Sequence, residues 1–220
     1  MMVAPPSLLV FDWDGTLMDS TAHITRSIQR ACADLGLPVP ERERASHVIG
    51  LGLRDAMRVA CPGLAESDYG GMVEAYKRNY LAGEETVELF PGVREALQAY
   101  RQAGYFLAVA TGKGRPGLDR ALEASGLAGL FDATRTVNEC ASKPDPEMLD
   151  QLTDYFGVER SASLMVGDTT HDLLMAKNAR VPGCGLAQGA HPRQQLEAVA
   201  PLAVFDDFAG FDTWLMSLPR

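Results

Sequence analysis

The sequence predicts an α/β fold in which a parallel sheet carries helices on both faces and an all-helical segment follows the first strand. Three observations lead there. Short apolar runs alternate with helix-length amphipathic segments, the pattern from which parallel sheets are built. The first run, Leu8-Leu9-Val10-Phe11, is uniformly apolar, as a strand covered on both faces must be. Between Asp19 and about Glu88 no strand pattern occurs, and apolar residues fall at helical spacing throughout.

Strands are expected over 8–11, 106–110, 133–137, 163–166, 183–187 and 202–205. Within the insertion, helical spacing covers 20–35, stopped by Gly36, then 41–48, 53–61 and 67–81. The segment 91–102 reads as a helix with Pro91 in its first turn, where the missing N–H does no harm. Leu97 and Tyr100 share one face of it, and Gly104 stops it. Helices over 118–124, 145–156 and 172–179 follow, the first two closed by Gly126 and Gly157. Polar or glycine-bearing joints at 17–20 and 83–90 are the expected hinges. They divide the chain into a core, 1–17 with 88–220, and a helical cap, 18–87. There are no repeats or low-complexity linkers.

Bulk properties exclude several classes. The chain has 220 residues and is 46% hydrophobic, enough for one packed domain and a smaller insert. A net charge of -9 and a pI near 4.9 argue against a nucleic-acid partner, which leaves a basic footprint. Cys32, Cys61, Cys140 and Cys184 are scattered without CxxC spacing, so neither a zinc site nor a disulfide framework is indicated. With no long apolar segment and no charged leader pattern, a cytoplasmic protein without membrane contact is expected. The sequence leaves the oligomeric state open, a monomer being favoured.

Chemistry gathers at the strand ends. The first strand runs into Asp12-Trp13-Asp14-Gly15-Thr16, two carboxylates where a parallel sheet exposes its ligand crevice. The second runs into Thr111-Gly112-Lys113, whose hydroxyl and following amide suit a phosphate oxygen. Lys143 stands before Pro144, which restricts its backbone to an extended form. Gly167-Asp168 ends the fourth strand, and Asp172 opens the next helix. Singly, Thr111 reads as a helix cap, Lys143 as a solvated loop residue and Asp172 as a helix-start acid. Their joint occurrence favours one site.

In that order the four groups resemble the motifs of the haloacid dehalogenase-like phosphohydrolase superfamily, across the whole chain. The insertion resembles the cap of its phosphoglycolate phosphatase and β-phosphoglucomutase branch. The resemblance implies a Rossmann-like sheet ordered 3-2-1-4-5 with the first-motif strand central. It further implies that Asp12 attacks phosphorus, giving an aspartyl-phosphate, and that Asp14 serves as acid for the leaving group and then as base for water. Crowding by carboxylates would keep Asp14 protonated. Asp12 and Asp168 would bind a metal through side chains and Asp14 through its carbonyl, with Asp172 in support. Lys143 would neutralise charge, and Gly15, Thr16, Thr111 and Gly112 would serve the phosphate. A dianionic phosphate among three carboxylates needs compensation, since like charges 4 Å apart cost about 4 kcal/mol at an effective dielectric of 20. A divalent cation is therefore implied, and Mg2+ suits an oxygen-only site.

The expected activity is hydrolysis of a small-metabolite phosphomonoester resembling phosphoglycolate. Alternatives are a phosphosugar mutase, a pyrophosphate or nucleotide monophosphate hydrolase, and, in a different class, a phospho-aspartate signalling or binding module. A dehalogenase has no need of Asp14. Residues 112–117 also fit GxGxxG, but Pro116 falls inside and the strand before it is the second of the core, against a dinucleotide site. The family pattern commonly has asparagine at Gly112 and glycine at Ser142, and Trp13 is bulky, though it should point away from Asp12. The turn Ile49-Gly50-Leu51-Gly52-Leu53 sits where relatives place a substrate-sensing loop, and Arg54 after it is a candidate substrate contact. His23, His47 and His191 lack partner spacing and are expected at the surface; His171 is expected at solvent or the site mouth.

Overall fold

The computed structural model describes residues 5–219. Six parallel strands, β1 (Leu8–Phe11), β2 (Phe106–Thr111), β3 (Ala133–Thr136), β4 (Ser163–Gly167), β5 (Gly183–Leu186) and β6 (Ala203–Phe205), form one sheet ordered β3-β2-β1-β4-β5-β6. The implied five-strand order holds, and β6 extends the sheet beside β5. All four residues of β1 are fully buried. Period-two alternation splits them between two cores. Leu9 and Phe11 pack with Tyr100, Phe208 and Phe211, whereas Leu8 and Val10 pack with Met148, Leu152, Met165 and Met175. Trp13 joins the first of these cores, on the side away from Asp12 as expected.

Parallel register places Phe11 beside both Val109 and Val166, so the residues leaving β1, β2 and β4 arrive at one edge. Core helices are α5 (Val93–Gln102), α6 (Arg115–Ala124), α7 (Glu147–Phe156), α8 (Thr170–Ala179), α9 (Arg193–Ala198) and α10 (Phe208–Met216), counted after the four helices of the insertion. The last two were not marked by spacing. Pro91 lies outside α5, because Gly92 precedes the helix at φ 80, a conformation that interrupts it.

The insertion comprises α1 (Thr21–Asp34), α2 (Arg42–His47), α3 (Leu53–Ala60) and α4 (Tyr69–Leu81). Their apolar faces meet in a core of their own around Ile28, Ala31, Met57, Met72 and Ala75. In it the Sγ atoms of Cys32 and Cys61 lie 3.3 Å apart, a contact their spacing concealed. The two passages between insertion and sheet lie side by side: Asp19 N–H donates to Glu88 O at 2.9 Å and Phe90 N–H to Leu17 O at 2.9 Å. Among the described residues no helix is long and apolar enough to cross a membrane.

Candidate active site

Three carboxylates meet at the carboxyl edge of the sheet. Asp12 follows β1, Asp168 follows β4 and Asp172 lies in the first turn of α8; all are fully buried, with one oxygen of each within 4.8 Å of the others. Helix capping fixes Asp172. The Thr169 hydroxyl oxygen accepts its N–H at 3.3 Å, while Asp172 Oδ2 accepts the Thr169 N–H at 3.1 Å and hydroxyl at 2.6 Å. Asp168 accepts from the Thr16 hydroxyl at 2.8 Å and the Ala190 N–H at 2.7 Å. Lys143, 2% exposed, places Nζ 2.8 Å from Asp12 Oδ1 and 2.6 Å from Asp172 Oδ1. The Asp12 contact is an ion contact without hydrogen-bond geometry, so among the described residues neither Asp12 oxygen accepts a well-directed hydrogen bond.

Electrostatics follow from that burial. Desolvation pushes Asp12 up to about 7, against the pull of Lys143 and with a further push from Asp172 and Asp14. Burial, with Asp172 and Asp12 adding to it, lifts Asp168 well above the carboxylate range. For Lys143 burial disfavours the charge, but Asp12 and Asp172 outweigh it and hold the ammonium above its ordinary range.

Asp14 stands apart from this cluster. Its Oδ1 accepts the Ser20 hydroxyl at 2.7 Å and its Oδ2 lies 3.1 Å from Lys113 Nζ. That ammonium also donates to Tyr80 Oη at 3.0 Å and sits 4.7 Å from the centre of the Tyr80 ring. The close neighbours of Asp14 are thus a lysine and a serine, and crowding by carboxylates is not what surrounds it. Lys113 and Tyr80 are site residues that sequence reasoning missed. The only signal was a lysine two places after Thr111.

Glycines set the close approaches. Gly15 has φ 80, and a Cβ there would fall 2.1 Å from Asp168 Oδ2. A Cβ on Gly112 would lie 2.4 Å from both Gly50 O and Leu51 O, so this is where the turn between α2 and α3 seats on the core. That turn overlies the acids, with Gly50, at φ 91, placing its Cβ direction 3.8 Å from Asp12 Oδ2. Ser142, where the family pattern has glycine, accepts the Gly52 N–H at 2.8 Å and fastens the turn. Thr111 is buried at the end of β2 and accepts the Lys113 N–H at 3.2 Å; the residue capping α6 is Gly114.

Two expectations need correction. Arg54 does not reach the site, because its guanidinium pairs with Glu66 on the exposed side of α3 and lies 5.7 Å from the centre of the Tyr69 ring. Nor do the histidines lie apart at the surface. His47 of α2 stacks on His191 at 4.4 Å, and the Nε2 atoms of His171 and His191 lie 2.9 and 3.0 Å from His47 O, bridging insertion and core. His191 is 1% exposed, and burial pushes it down to about 4. Its Nδ1 accepts the Thr170 N–H at 3.0 Å, so both ring nitrogens are engaged by protein. His23 contacts Tyr80 O at 2.7 Å.

Acids at the ends of two parallel strands, a buried lysine between them and a helical insertion packed on that edge make an arrangement suited to phosphoryl transfer. The family profile described as haloacid dehalogenase-like hydrolase matches residues 9–186, and the chain belongs to that family. A Dickeya dadantii protein named "Probable phosphatase IndB" is 35% identical over 207 residues, 92% of this chain and 90% of its own. A phosphoglycolate phosphatase of Rhodospirillum rubrum is 32% identical over 96% of this chain and 91% of its own. The crystal structure of a predicted phosphoglycolate phosphatase from Haemophilus somnus 129PT superposes with a TM-score of 0.82 at 29% identity, covering 94% of this chain and 97% of that one. Within the family the chain is an enzyme of the phosphoglycolate phosphatase-like branch.

Proposed function

We propose that this enzyme is a Mg2+-dependent phosphatase that hydrolyses a small phosphomonoester through a phosphoryl group carried on Asp12. The observation that carries the reading is the trio of buried carboxylates with Lys143 as the one ammonium against them among the described residues, neither Asp12 oxygen accepting a well-directed hydrogen bond. An oxygen-only donor set with surplus negative charge fits a small divalent cation. Asp12 and Asp168 would hold it through side chains and Asp14 through its carbonyl, with Asp172 in support. When bound, Mg2+ supplies positive charge that draws the phosphate to the acids and stabilises charge in transfer.

In the first step an Asp12 oxygen attacks phosphorus, the bond from phosphorus to the ester oxygen breaks, and Asp14 gives that oxygen its proton. In the second, Asp14 takes a proton from water, whose oxygen attacks phosphorus and frees phosphate and the Asp12 carboxylate. Lys143 holds Asp12 and Asp172 apart in charge. The Thr111 hydroxyl and the Gly112 backbone receive phosphoryl oxygens, Thr16 orients Asp168, and Gly15 lets the backbone pass it. Residues 18–87 act as a cap over the core, and the turn at Gly50 excludes water from the acyl phosphate. Phosphoglycolate is the first substrate to try, being the one named for several relatives. A cytoplasmic enzyme acting on a phosphorylated metabolite remains part of this reading.

The test is phosphate release from phosphoglycolate, pyrophosphate, phosphosugars and nucleoside monophosphates, with Mg2+ or EDTA. Turnover that needs Mg2+ and disappears in Asp12→Asn is expected. Turnover that survives that substitution would overturn the reading.

A further inference from the structure

We propose that the substrate's alcohol carries a bulky apolar or aromatic body, received by a cavity between the helical insertion and the core. The cavity measures about 560 Å3, inside the roughly 300–1,000 Å3 range that holds drug-sized ligands. Its polar end is the leaving-group end of the site, where Asp14, Lys113 and Tyr80 line it beside Gly112. Away from that end most of the wall is apolar, with Lys77, Arg120 and Asn138 also lining it. Leu51 and Leu53 from the insertion and Val137 from the core line it, and all three are half-buried, keeping accessible apolar surface. Tyr76 completes this wall, its ring 5.9 Å from that of Tyr80 and tilted by 31°, an aromatic pair against whose open face a flat ring could lie.

Position decides the assignment. The cavity begins at the carboxyl that protonates the ester oxygen, so what enters it is the alcohol and not the phosphate. A two-carbon leaving group covers little of the apolar wall, whereas a ring-sized body covers much of it and gains the transfer free energy. The inference rests on the phosphatase reading above and extends it to the alcohol.

Ethyl phosphate and phenethyl phosphate test it, because their leaving alcohols are alike in acidity and differ in bulk. With Mg2+, kcat/KM for phenethyl phosphate is expected to exceed that for ethyl phosphate, and for phosphoglycolate, by roughly tenfold or more. Leu53→Trp, which fills the cavity from the insertion side, should return the phenethyl to ethyl ratio toward one. Equal rates for the two alkyl esters, or a preference for phosphoglycolate, would overturn the inference while leaving the phosphatase reading intact. Absence of phosphate release from every ester and from acetyl phosphate would remove both.

Discussion

Replacing Lys143 by methionine keeps an aliphatic stem and removes the one ammonium between Asp12 and Asp172. Its Nζ lies 2.8 and 2.6 Å from their oxygens, and its side chain is fully buried. Removing one partner of a buried pair costs about 3–5 kcal/mol, because the charge left behind finds no water. In a chain of this size each kcal/mol moves the unfolding midpoint by about 2–4 °C, so a fall of roughly 6–20 °C is expected at about pH 8 in EDTA. The loss should depend on pH. Asp12 titrates at about 7, so at about pH 5 it holds its proton with or without the lysine, and less charge is stranded. Thermal unfolding followed by circular dichroism reads both conditions. An equal loss at the two pH values would refute the charge argument and leave Lys143 a packing residue.

Because Asp12 rises from 3.8 to about 7 on folding, the folded enzyme keeps a proton that the unfolded chain releases. Its contribution to stability is therefore greatest at low pH and declines between about pH 4 and 7, by a few kcal/mol, in metal-free enzyme. Asp12→Asn should lack that slope, and Mg2+ should raise the wild-type midpoint more at about pH 8 than at about pH 5; parallel pH curves for the two proteins would contradict this. Gly112→Ala sets a methyl 2.4 Å from two carbonyl oxygens of the covering turn, so the turn must lift. Overpacking of about 1–3 kcal/mol should appear as a fall of about tenfold or more in kcat/KM, and unchanged kinetics would count against the seating of the turn. Lys113→Met removes the cation paired with the Asp14 carboxylate, the form that takes a proton from water in the second step, and should lower kcat by about 10²-fold for alkyl and p-nitrophenyl phosphates alike. A loss confined to the alkyl esters would show that Lys113 acts at the leaving group instead.

What the sequence disclosed was whatever a strand end carries in its own few residues. Asp12, Thr111 and Asp168 could be placed because an apolar run marks each strand and parallel register brings the ends to one edge. Lys143 needed the additional help of the family's motif order, since a lysine before proline has no chemistry of its own. The Asp14, Lys113 and Tyr80 group was hidden. Tyr80 comes from α4 in the insertion and Lys113 from the loop after β2, and only the docking of one on the other joins them. His47, His171 and His191 were hidden for the same reason, being spread over 145 positions of sequence and brought together across the insertion boundary. Arg54 shows the converse. Its nearness to the covering turn was legible, but the direction of its side chain was set by Glu66, whose place depends on how the chain returns after α3. Small shifts at helix starts, such as α5 beginning after Gly92, reflect a backbone choice that spacing does not encode.

Passage of phosphorus through Asp12 is the step on which the proposed function stands. Enzyme mixed with a turned-over phosphomonoester and Mg2+ is quenched in acid within the first turnovers, digested, and examined by mass spectrometry for one phosphoryl group. That group is expected on the peptide holding Asp12, lost on treatment with hydroxylamine and absent from Asp12→Asn. A protein that turns over while no acid-quenched sample carries phosphate, or carries it on another residue, would contradict that step.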